Sequence, residues 1–293
     1  MAKRRNDGPD GLVVIDKPAG WTSHDIVAKL RGVLGTRRVG HAGTLDPDAT
    51  GVLLVGVGRV TRLLRFLTAM PKTYVGEIVL GAETNTLDAA GEVTAIHDMG
   101  GVTLDQARAA AAQHLTGDIL QVPPMVSALK VDGKRLHELA REGIEIERAA
   151  RPVTVYSFNL DAVADEPEVL LAGVQCSSGT YVRTLAADLG THLGGGAHLR
   201  NLRRTAIGSF GLDEADPVEE PTLLTPAEAM RDLTAVTVDA EQAAKVSHGQ
   251  RLALETDEAG PWSVLGPEGD LLAVYERVDG RVKPAVVVKP AAT

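Results

Sequence analysis

The sequence predicts a mixed α/β core followed by a small β module. Short apolar stretches typical of buried strands, such as residues 12–15 and 52–57, alternate with segments that carry helix-capping signals. Residues 234–293 contain short apolar stretches separated by tight turns at 267–270 and 279–280, a pattern that indicates a compact β-barrel. A chain of 293 residues is long enough for one large domain and one small domain.

In the first third of the chain, apolar spacing and capping residues define the elements. Thr22 or Ser23 can cap a helix whose apolar positions share one face, and Gly35 would end that helix. Three arginines fall within a stretch of helical spacing that follows the second strand. The predicted elements are, in order, a strand at 12–15, a helix from 22 to 35, a strand at 52–57, helical spacing over 58–67 and a strand at 72–81.

Further along, Thr103 and Gln106 form a capping box for an alanine-rich helix that ends near Leu115. The dipeptide Asp132-Gly133 is a strong hairpin signal. The remaining predicted elements are a basic helix at 134–141, strands at 153–160 and 169–176, a helix that follows the glycine turn at 177–180, and a helix at 238–246.

Composition narrows the class of protein. Hydrophobic residues make up 44% of the chain, as in ordinary globular proteins. No apolar stretch reaches the ~18 residues that a membrane span requires, and the polar start Met-Ala-Lys-Arg-Arg-Asn lacks the apolar segment of a signal peptide. We therefore expect a cytoplasmic protein without a membrane partner. The single cysteine, Cys176, rules out an internal disulfide and leaves no zinc-type ligand cluster.

Charge is distributed unevenly along the chain. The net charge of −9 disfavours a nucleic-acid partner when the chain is taken as a whole. Residues 1–66, however, hold eleven Lys or Arg against six Asp or Glu, whereas residues 213–241 hold nine acids and only Arg231 as a base. The acidic total is therefore a poor guide to the face that would meet a partner.

The stretch from Gly40 to Gly51 describes a constrained loop that leads into a buried strand. It contains three glycines and Pro47 within twelve residues. Asp46 precedes Pro47, which biases its backbone toward extended conformations and so restricts where its carboxylate points. From the residues alone, Asp46 is either a turn residue that caps neighbouring amides or a working acid.

This loop resembles the catalytic-loop motif of the bacterial tRNA pseudouridine-55 synthases, the TruB-type family. The resemblance extends over about residues 11–212 and implies a catalytic domain with an antiparallel-rich sheet and flanking helices. The further segments that match family motifs are Lys72-Thr73-Tyr74, Pro123-Pro124-Met125-Val126-Ser127-Ala128-Leu129-Lys130, Cys176 to Gly190 and Leu202-Arg203-Arg204-Thr205-Ala206. A weaker likeness identifies the C-terminal β module as similar to PUA-type RNA-binding domains.

The resemblance also implies a role for each matching residue. Asp46 corresponds to the essential catalytic residue, and Arg183 would keep its carboxylate ionised and oriented. Tyr74 and Tyr181 would line the uracil pocket. Leu202 would lie beneath the target base, and His41 would fill the space that the base leaves. Three basic residues are further expected as phosphate or loop contacts, Lys17, Arg59 and Arg62, although the two arginines could equally lie on a solvated helix face.

The domain organisation implied has three parts. Residues 1–10 form a flexible N-terminus, residues 11–233 form the catalytic domain, and residues 234–293 form the PUA-like domain. A thumb inserted in the catalytic domain at about 119–150 is expected to clamp RNA. The glycine run at 194–196 is followed by no Lys-Ser or Lys-Thr, so a phosphate-binding loop is not expected.

The activity implied is isomerisation of the T-loop uridine of tRNA to pseudouridine after the base is flipped out. The carboxylate of Asp46 would act either as a nucleophile on the anomeric carbon or as a base at the adjacent carbon, and the sequence leaves both open. No cofactor is expected, and we expect a monomer that needs no guide RNA. The alternatives are a guide-RNA-dependent relative and a tRNA-folding or assembly factor whose main effect does not require catalysis.

Overall fold

The computed structural model describes residues 8–127, 129–131, 134–136, 144, 146–252 and 259–288. In chain order the strands are β1 (Gly11–Lys17), β2 (Val39–Ala42), β3 (Thr50–Val57), β4 (Lys72–Leu80), β5 (Ala82–Thr84), β6 (Val93–Ile96), β7 (Gly117–Gln121), β8 (Lys130–Val131), β9 (Lys134–Arg135), β10 (Arg151–Val163), β11 (Glu166–Cys176), β12 (Ala197–Ile207), β13 (Phe210–Gly211), β14 (Thr234–Thr237), β15 (Trp262–Leu265), β16 (Leu271–Val278) and β17 (Arg281–Val287). The α-helices are α1 (Ser23–Val33), α2 (Leu64–Ala69), α3 (Leu104–His114), α4 (Val182–His192), α5 (Pro226–Ala229) and α6 (Ala240–Ser247), and short 3-10 helices occupy Gly58–Arg62 and Leu212–Glu214.

A nine-stranded sheet forms the core. Its main path runs β1-β3-β12-β4-β11-β10-β7, with β2 paired to β3 and β13 paired to β12. Its described pairs are antiparallel except for the short parallel contact between β3 and β12. The predicted mixed α/β core with an antiparallel-rich sheet is therefore confirmed.

Strand β3 is apolar on both faces because two cores meet along it. Val52 and Leu54 belong to one buried cluster, and Leu53 and Val55 belong to another. The close approach of β12 explains Gly51 at the start of this strand. Gly51 has φ of 100°, and a Cβ atom there would lie 2.1 Å from a carbonyl oxygen on β12. A side chain at this position would push β3 and β12 apart.

The capping box predicted at Thr103 is present, and of the two predicted caps of the first helix it is Thr22 that serves, also within a capping box. Thr22 caps α1 and Thr103 caps α3, each by accepting a hydrogen bond from the backbone N–H three residues later. In contrast, the helical stretch predicted at 58–67 divides into a 3-10 helix and the short helix α2. Strands β8 and β9 pair across the predicted hairpin turn. The basic helix predicted at 134–141 is wrong at 134–135, which are strand, and most of its other residues lie outside the described residues.

Strand β12 was missed because the sequence pattern there is irregular. Its register against β4 shifts between Arg200 and Arg203, so a bulge interrupts the alternation of apolar and polar residues. Asn201 lies in this bulge with φ of 54°, a left-handed conformation that Asn adopts more readily than most residues. After the bulge, Arg203 and Arg204 pair with Thr50 and Gly51 at the start of β3.

The C-terminal segment forms a four-stranded sheet in the order β14-β15-β16-β17. Leu271, Val274 and Val286 pack into the same buried cluster as Phe66 and Leu67 of the large domain. Among the described residues this sheet is open, so the closed barrel predicted from the close turns is not seen and stays a prediction. Residues 1–7 of the predicted flexible N-terminus lie outside the described residues. None of the described helices is both long and apolar enough to span a membrane.

Candidate active site

The catalytic-loop candidate connects β2 to β3 and is held by hydrogen bonds to residues 17–23. The Ser23 hydroxyl accepts a hydrogen bond from the Leu45 backbone N–H at 2.9 Å. The backbone N–H of Gly20 and the ammonium group of Lys17 both donate to the Pro47 carbonyl, at 3.0 and 2.9 Å. These bonds fix the backbone on both sides of Asp46, so the carboxylate is presented by a rigid turn.

Lys17 lies beneath the loop and has no solvent exposure. Its ammonium group donates to the carbonyl oxygens of Pro18, Trp21 and Pro47 at 2.7–2.9 Å. Burial lowers the pKa of Lys17 to about 8. The expectation of a phosphate contact is thereby corrected, because all three ammonium donors have backbone acceptors. Lys17 contacts the loop, which was the other role expected for it.

We expect Lys17→Met to destabilise the fold. The substitution leaves the Trp21 carbonyl without its donor and the Pro47 carbonyl with only the Gly20 N–H, and a buried group left unsatisfied costs about 1–3 kcal/mol. Urea unfolding should show a fall in the free energy of unfolding of about 1–3 kcal/mol. Lys29→Met, which removes a half-exposed ammonium group from α1, is the matched control and should change stability little. Equal unfolding midpoints for the two variants would contradict the anchoring role.

A cleft of about 360 Å³ opens beside Asp46. Five of the residues predicted from sequence line it, and they come from four separated segments of the chain. They are Asp46, Tyr74, Tyr181, Arg183 and Leu202. The structure therefore brings together the residues that the family motifs implied for the base pocket.

Arg183 is the centre of the polar contacts in this cleft. It lies in the first turn of α4 and is only 4% exposed. Its Nε is 3.0 Å from Asp46 Oδ2 and 3.5 Å from Asp88 Oδ2. Its two terminal nitrogens donate to the carbonyls of Thr86 at 2.7 Å and Val126 at 2.8 Å. Four partners hold the guanidinium in one orientation, so the position of Asp46 relative to Arg183 is fixed.

Asp88 is a site residue that the sequence reasoning missed. It lies in the polar loop between β5 and β6, where an aspartate is ordinary turn chemistry. Its Oδ1 accepts hydrogen bonds from the Thr86 hydroxyl at 2.6 Å and the Ala90 N–H at 3.2 Å, which leaves Oδ2 to face Arg183. No local signal separates this aspartate from a turn residue, since its partner lies 95 residues away in the sequence.

The environment of Asp46 raises the pKa of its carboxyl group. Burial is the main cause, and the charge of Asp88 acts in the same direction, whereas Arg183 opposes both. The side chain is still 44% exposed toward the cleft. A carboxylate that is incompletely solvated and held by one guanidinium is a better nucleophile or base than one in free solution.

The two tyrosines and Leu202 shape the cleft. Tyr74 points from β4 into the core beneath the cleft, and burial raises the pKa of its hydroxyl, which stays neutral. Tyr181 precedes α4, and its backbone exchanges two hydrogen bonds with the Gln121 side chain. Leu202 lies in the bulge of β12. Together they offer apolar faces that suit a planar base.

His41 lies on β2 and is not part of the cleft wall. Burial lowers the pKa of His41 to about 4, with His24 and Arg204 acting in the same direction. The ring is therefore neutral at pH 7. The His24 ring meets it edge to face, with 5.3 Å between the ring centres. A neutral, half-buried imidazole can stack on a base, which is compatible with the role implied for His41.

Arg59 and Arg62 face the C-terminal sheet. Arg59 donates to the Val288 carbonyl at 3.3 Å, and Arg62 donates to the Val287 carbonyl at 2.9 Å. Arg59 also lies 3.4 Å from the Asp10 carboxylate. Their described contacts join the two parts of the protein, and a contact of these arginines with phosphates stays a prediction. Among the described residues, no group of three or more His, Cys, Asp or Glu side chains could hold a metal ion.

Three family models match consecutive parts of the chain. The model described as TruB family pseudouridylate synthase (N terminal domain) matches residues 31–182. The model for the tRNA pseudouridylate synthase B C-terminal domain matches 183–242, and that for tRNA Pseudouridine synthase II, C terminal, matches 233–289. The first of these covers the catalytic loop, Tyr74, Asp88 and Tyr181.

Similar curated proteins and solved structures agree with these models. A protein from Streptomyces griseus named tRNA pseudouridine synthase B is 48% identical over 291 residues, which span 95% of this chain and 97% of that protein. A protein of the same name from Thermobifida fusca is 46% identical over 95% of this chain and 98% of its own length. A solved Cbf5-Nop10-Gar1 complex contains a chain that is 25% identical, with a TM-score of 0.74 over 96% of this chain and 85% of that one. These matches confirm the family predicted from the motifs: the chain belongs to the TruB family of pseudouridylate synthases.

Proposed function

We propose that the protein converts the uridine at position 55, in the T loop of tRNA, to pseudouridine. The observation that carries this proposal is the Asp46–Arg183 pair, with 3.0 Å between its atoms, in a cleft lined by two tyrosines. The curated relatives are named tRNA pseudouridine synthase B, which supports tRNA as the substrate. The position within tRNA rests on the family resemblance of the motifs.

The cleft suits one flipped base. Extrusion of a base costs a few kcal/mol, which stacking on the cleft walls can offset at about 1–3 kcal/mol per base. Tyr74 would contact the uracil, Tyr181 would close the pocket and Leu202 would support the base. His41 would occupy the space that the uridine leaves in the T loop. These contacts would place the ribose of the target nucleotide against Asp46.

The reaction exchanges one ribose–base bond for another. The C1′–N1 bond breaks, the uracil turns within the cleft, and C5 bonds to C1′ and then loses its proton. Asp46 assists the first step in one of two ways: it attacks C1′ and leaves when C5 bonds there, or it removes the C2′ proton and returns it when the new bond forms. Arg183 keeps Asp46 ionised and aimed throughout, since four partners prevent the guanidinium from following the substrate.

The wider organisation is part of the same proposal. Residues 11–233 would form the catalytic domain, with a thumb at about 119–150 that clamps the RNA. Residues 234–293 would form a PUA-like barrel that supports the tRNA. The enzyme would act in the cytoplasm as a monomer, without a cofactor and without a guide RNA.

The purified protein should release tritium from a bare tRNA transcript labelled with [5-³H]uridine, because C5 loses its hydrogen when it bonds to C1′. Release should stop at one equivalent per tRNA, and replacement of the T-loop uridine by cytidine should abolish it. A transcript that binds tightly without tritium release would overturn the proposed reaction and favour an RNA-folding role. Release only after addition of a second RNA would instead indicate a guide-dependent enzyme.

A further inference from the structure

Two buried basic side chains line the cleft near Tyr74. Lys72 lies on β4 and is 6% exposed, and Arg204 lies on β12 and is 1% exposed. Both belong to the cleft wall that also contains Asp46. They lie close to one another beneath Gly43, since a Cβ atom there would be 3.3 Å from Lys72 Cε and 3.5 Å from Arg204 Nη1.

Neither cation has a carboxylate partner within 4.0 Å among the residues that the structure describes. Lys72 donates to the carbonyls of Thr68 and Met70, at 2.9 and 2.8 Å. Arg204 donates to the carbonyls of Val52 and Gly43, at 2.7 and 3.0 Å. Carbonyl oxygens satisfy donors, but they do not cancel a full charge.

Cys176 lies opposite Lys72 and Tyr74 lies opposite Arg204 on neighbouring strands, and both of these side chains are neutral. Burial raises the pKa of Cys176 to about 11, so its thiol stays protonated, and the Tyr74 hydroxyl likewise keeps its proton. Burial and Arg204 together lower the pKa of Lys72 to about 8, which leaves the ammonium group charged at neutral pH. This part of the cleft therefore carries positive charge in surroundings where an unpaired charge is costly. Such an arrangement suits a ligand that brings negative charge.

Lys72 also retains a donor for a ligand. An ammonium group has three N–H donors, and two described acceptors use two of them. By contrast, the fully buried Lys17 donates all three ammonium N–H groups to backbone carbonyls and lies outside the cleft wall. Lys72 therefore lines the cleft with one ammonium N–H that neither of these two acceptors uses and that can bind a ligand.

We propose that Lys72, supported by Arg204, stabilises the negative charge that develops on the uracil when it separates from the ribose. This inference rests on the proposed function. When the C1′–N1 bond breaks, its electron pair remains on N1 and spreads to the O2 and O4 oxygens of the base. The charge is consumed when C5 supplies the electron pair for the new bond to C1′. It exists only between cleavage and rejoining, so a cation that meets it accelerates the chemistry without tightening ground-state binding.

The test separates the rate of the chemical step from RNA affinity. Lys72→Met, Lys72→Gln and Lys72→Arg are compared with wild type in single-turnover tritium release at saturating tRNA, with Kd measured by filter binding. Removal of a single preorganised donor typically costs about 10²–10³ in rate. We therefore expect both neutral variants to lose about 10²-fold in rate with Kd within about threefold, and Lys72→Arg to recover at least a tenth of the wild-type rate.

The alternatives predict different results. A phosphate contact would weaken Kd, reduce its salt dependence and leave the saturated rate unchanged, which would overturn the proposal. A purely structural role for Lys72 would lower the melting temperature without changing the rate of the folded fraction, which would overturn the proposal. Lys72→Gln is included because it keeps a hydrogen-bond donor and is therefore more able to fold than Lys72→Met. Unchanged rates for both neutral variants, with an active wild type, would also overturn it. Absence of release by wild type would instead refute the proposed function.

Discussion

Asp46→Asn is expected to abolish pseudouridine formation while tRNA affinity stays nearly unchanged. The amide has the size and shape of the carboxylate but cannot act as a nucleophile or as a base. Loss of such a group typically lowers the rate by about 10⁴-fold or more. Affinity should persist because Arg183 keeps Asp88 and two carbonyls as partners. Binding would still depend on the cleft walls and on contacts along the RNA.

The matched control for this variant is Asp48→Asn. It makes the same chemical change two residues away in the same loop, at an exposed side chain. Single-turnover tritium release should be lost only in Asp46→Asn, whereas filter binding should give similar Kd values for both variants and wild type. Substantial release by Asp46→Asn would remove Asp46 from its catalytic role. Loss of RNA binding with an intact fold would make Asp46 an RNA contact.

The sequence was sufficient for the parts of the site that lie in continuous motifs. Asp46, Tyr74 and Arg183 were placed by family motifs that each occupy one short segment, whereas from the residues alone Asp46 could also be a turn residue. The strands β4, β10 and β11 were accessible from their apolar spacing, whereas their antiparallel arrangement was implied by the family resemblance. In each case the information lies within a few neighbouring residues.

Contacts between distant residues were not accessible in this way. Arg59 meets a carbonyl 229 residues further along the chain, and nothing near Arg59 distinguishes that role from a phosphate contact. Lys72 is 6% exposed and reaches only the cleft, although lysine is rarely buried, because it is packed between neighbouring strands and Gly43. Asp88 resembles a turn residue until α4 brings Arg183 to it. These properties depend on which strands become neighbours, which the apolar spacing does not specify.

Removal of the Arg183 guanidinium should have the second largest effect on activity. Arg183→Met leaves Asp46 and Asp88 without their shared cation and leaves the Thr86 and Val126 carbonyls without donors. Each carbonyl left unsatisfied costs about 1–3 kcal/mol where it is buried, so the melting temperature should fall. We expect the single-turnover rate of the folded protein to fall by about 10³-fold, because Asp46 loses its orientation as well as its counter-charge. Arg183→Lys should also be impaired, since one ammonium group cannot reproduce the forked contacts of a guanidinium.

The pH dependence distinguishes this role from a purely structural one. Arg183 lowers the pKa of Asp46 against the combined influence of burial and Asp88, so removal of the guanidinium should raise that pKa further. Activity requires the ionised carboxylate and is lost as the pH falls through its pKa, so the acid limb of the pH–rate profile should move to higher pH in Arg183→Met. Arg108→Met, which removes an arginine from exposed ion pairs with Asp105 and Asp161, should leave the profile unchanged. An unshifted acid limb in Arg183→Met, measured where the variant is folded, would mean that Arg183 holds the loops together without setting the charge of Asp46.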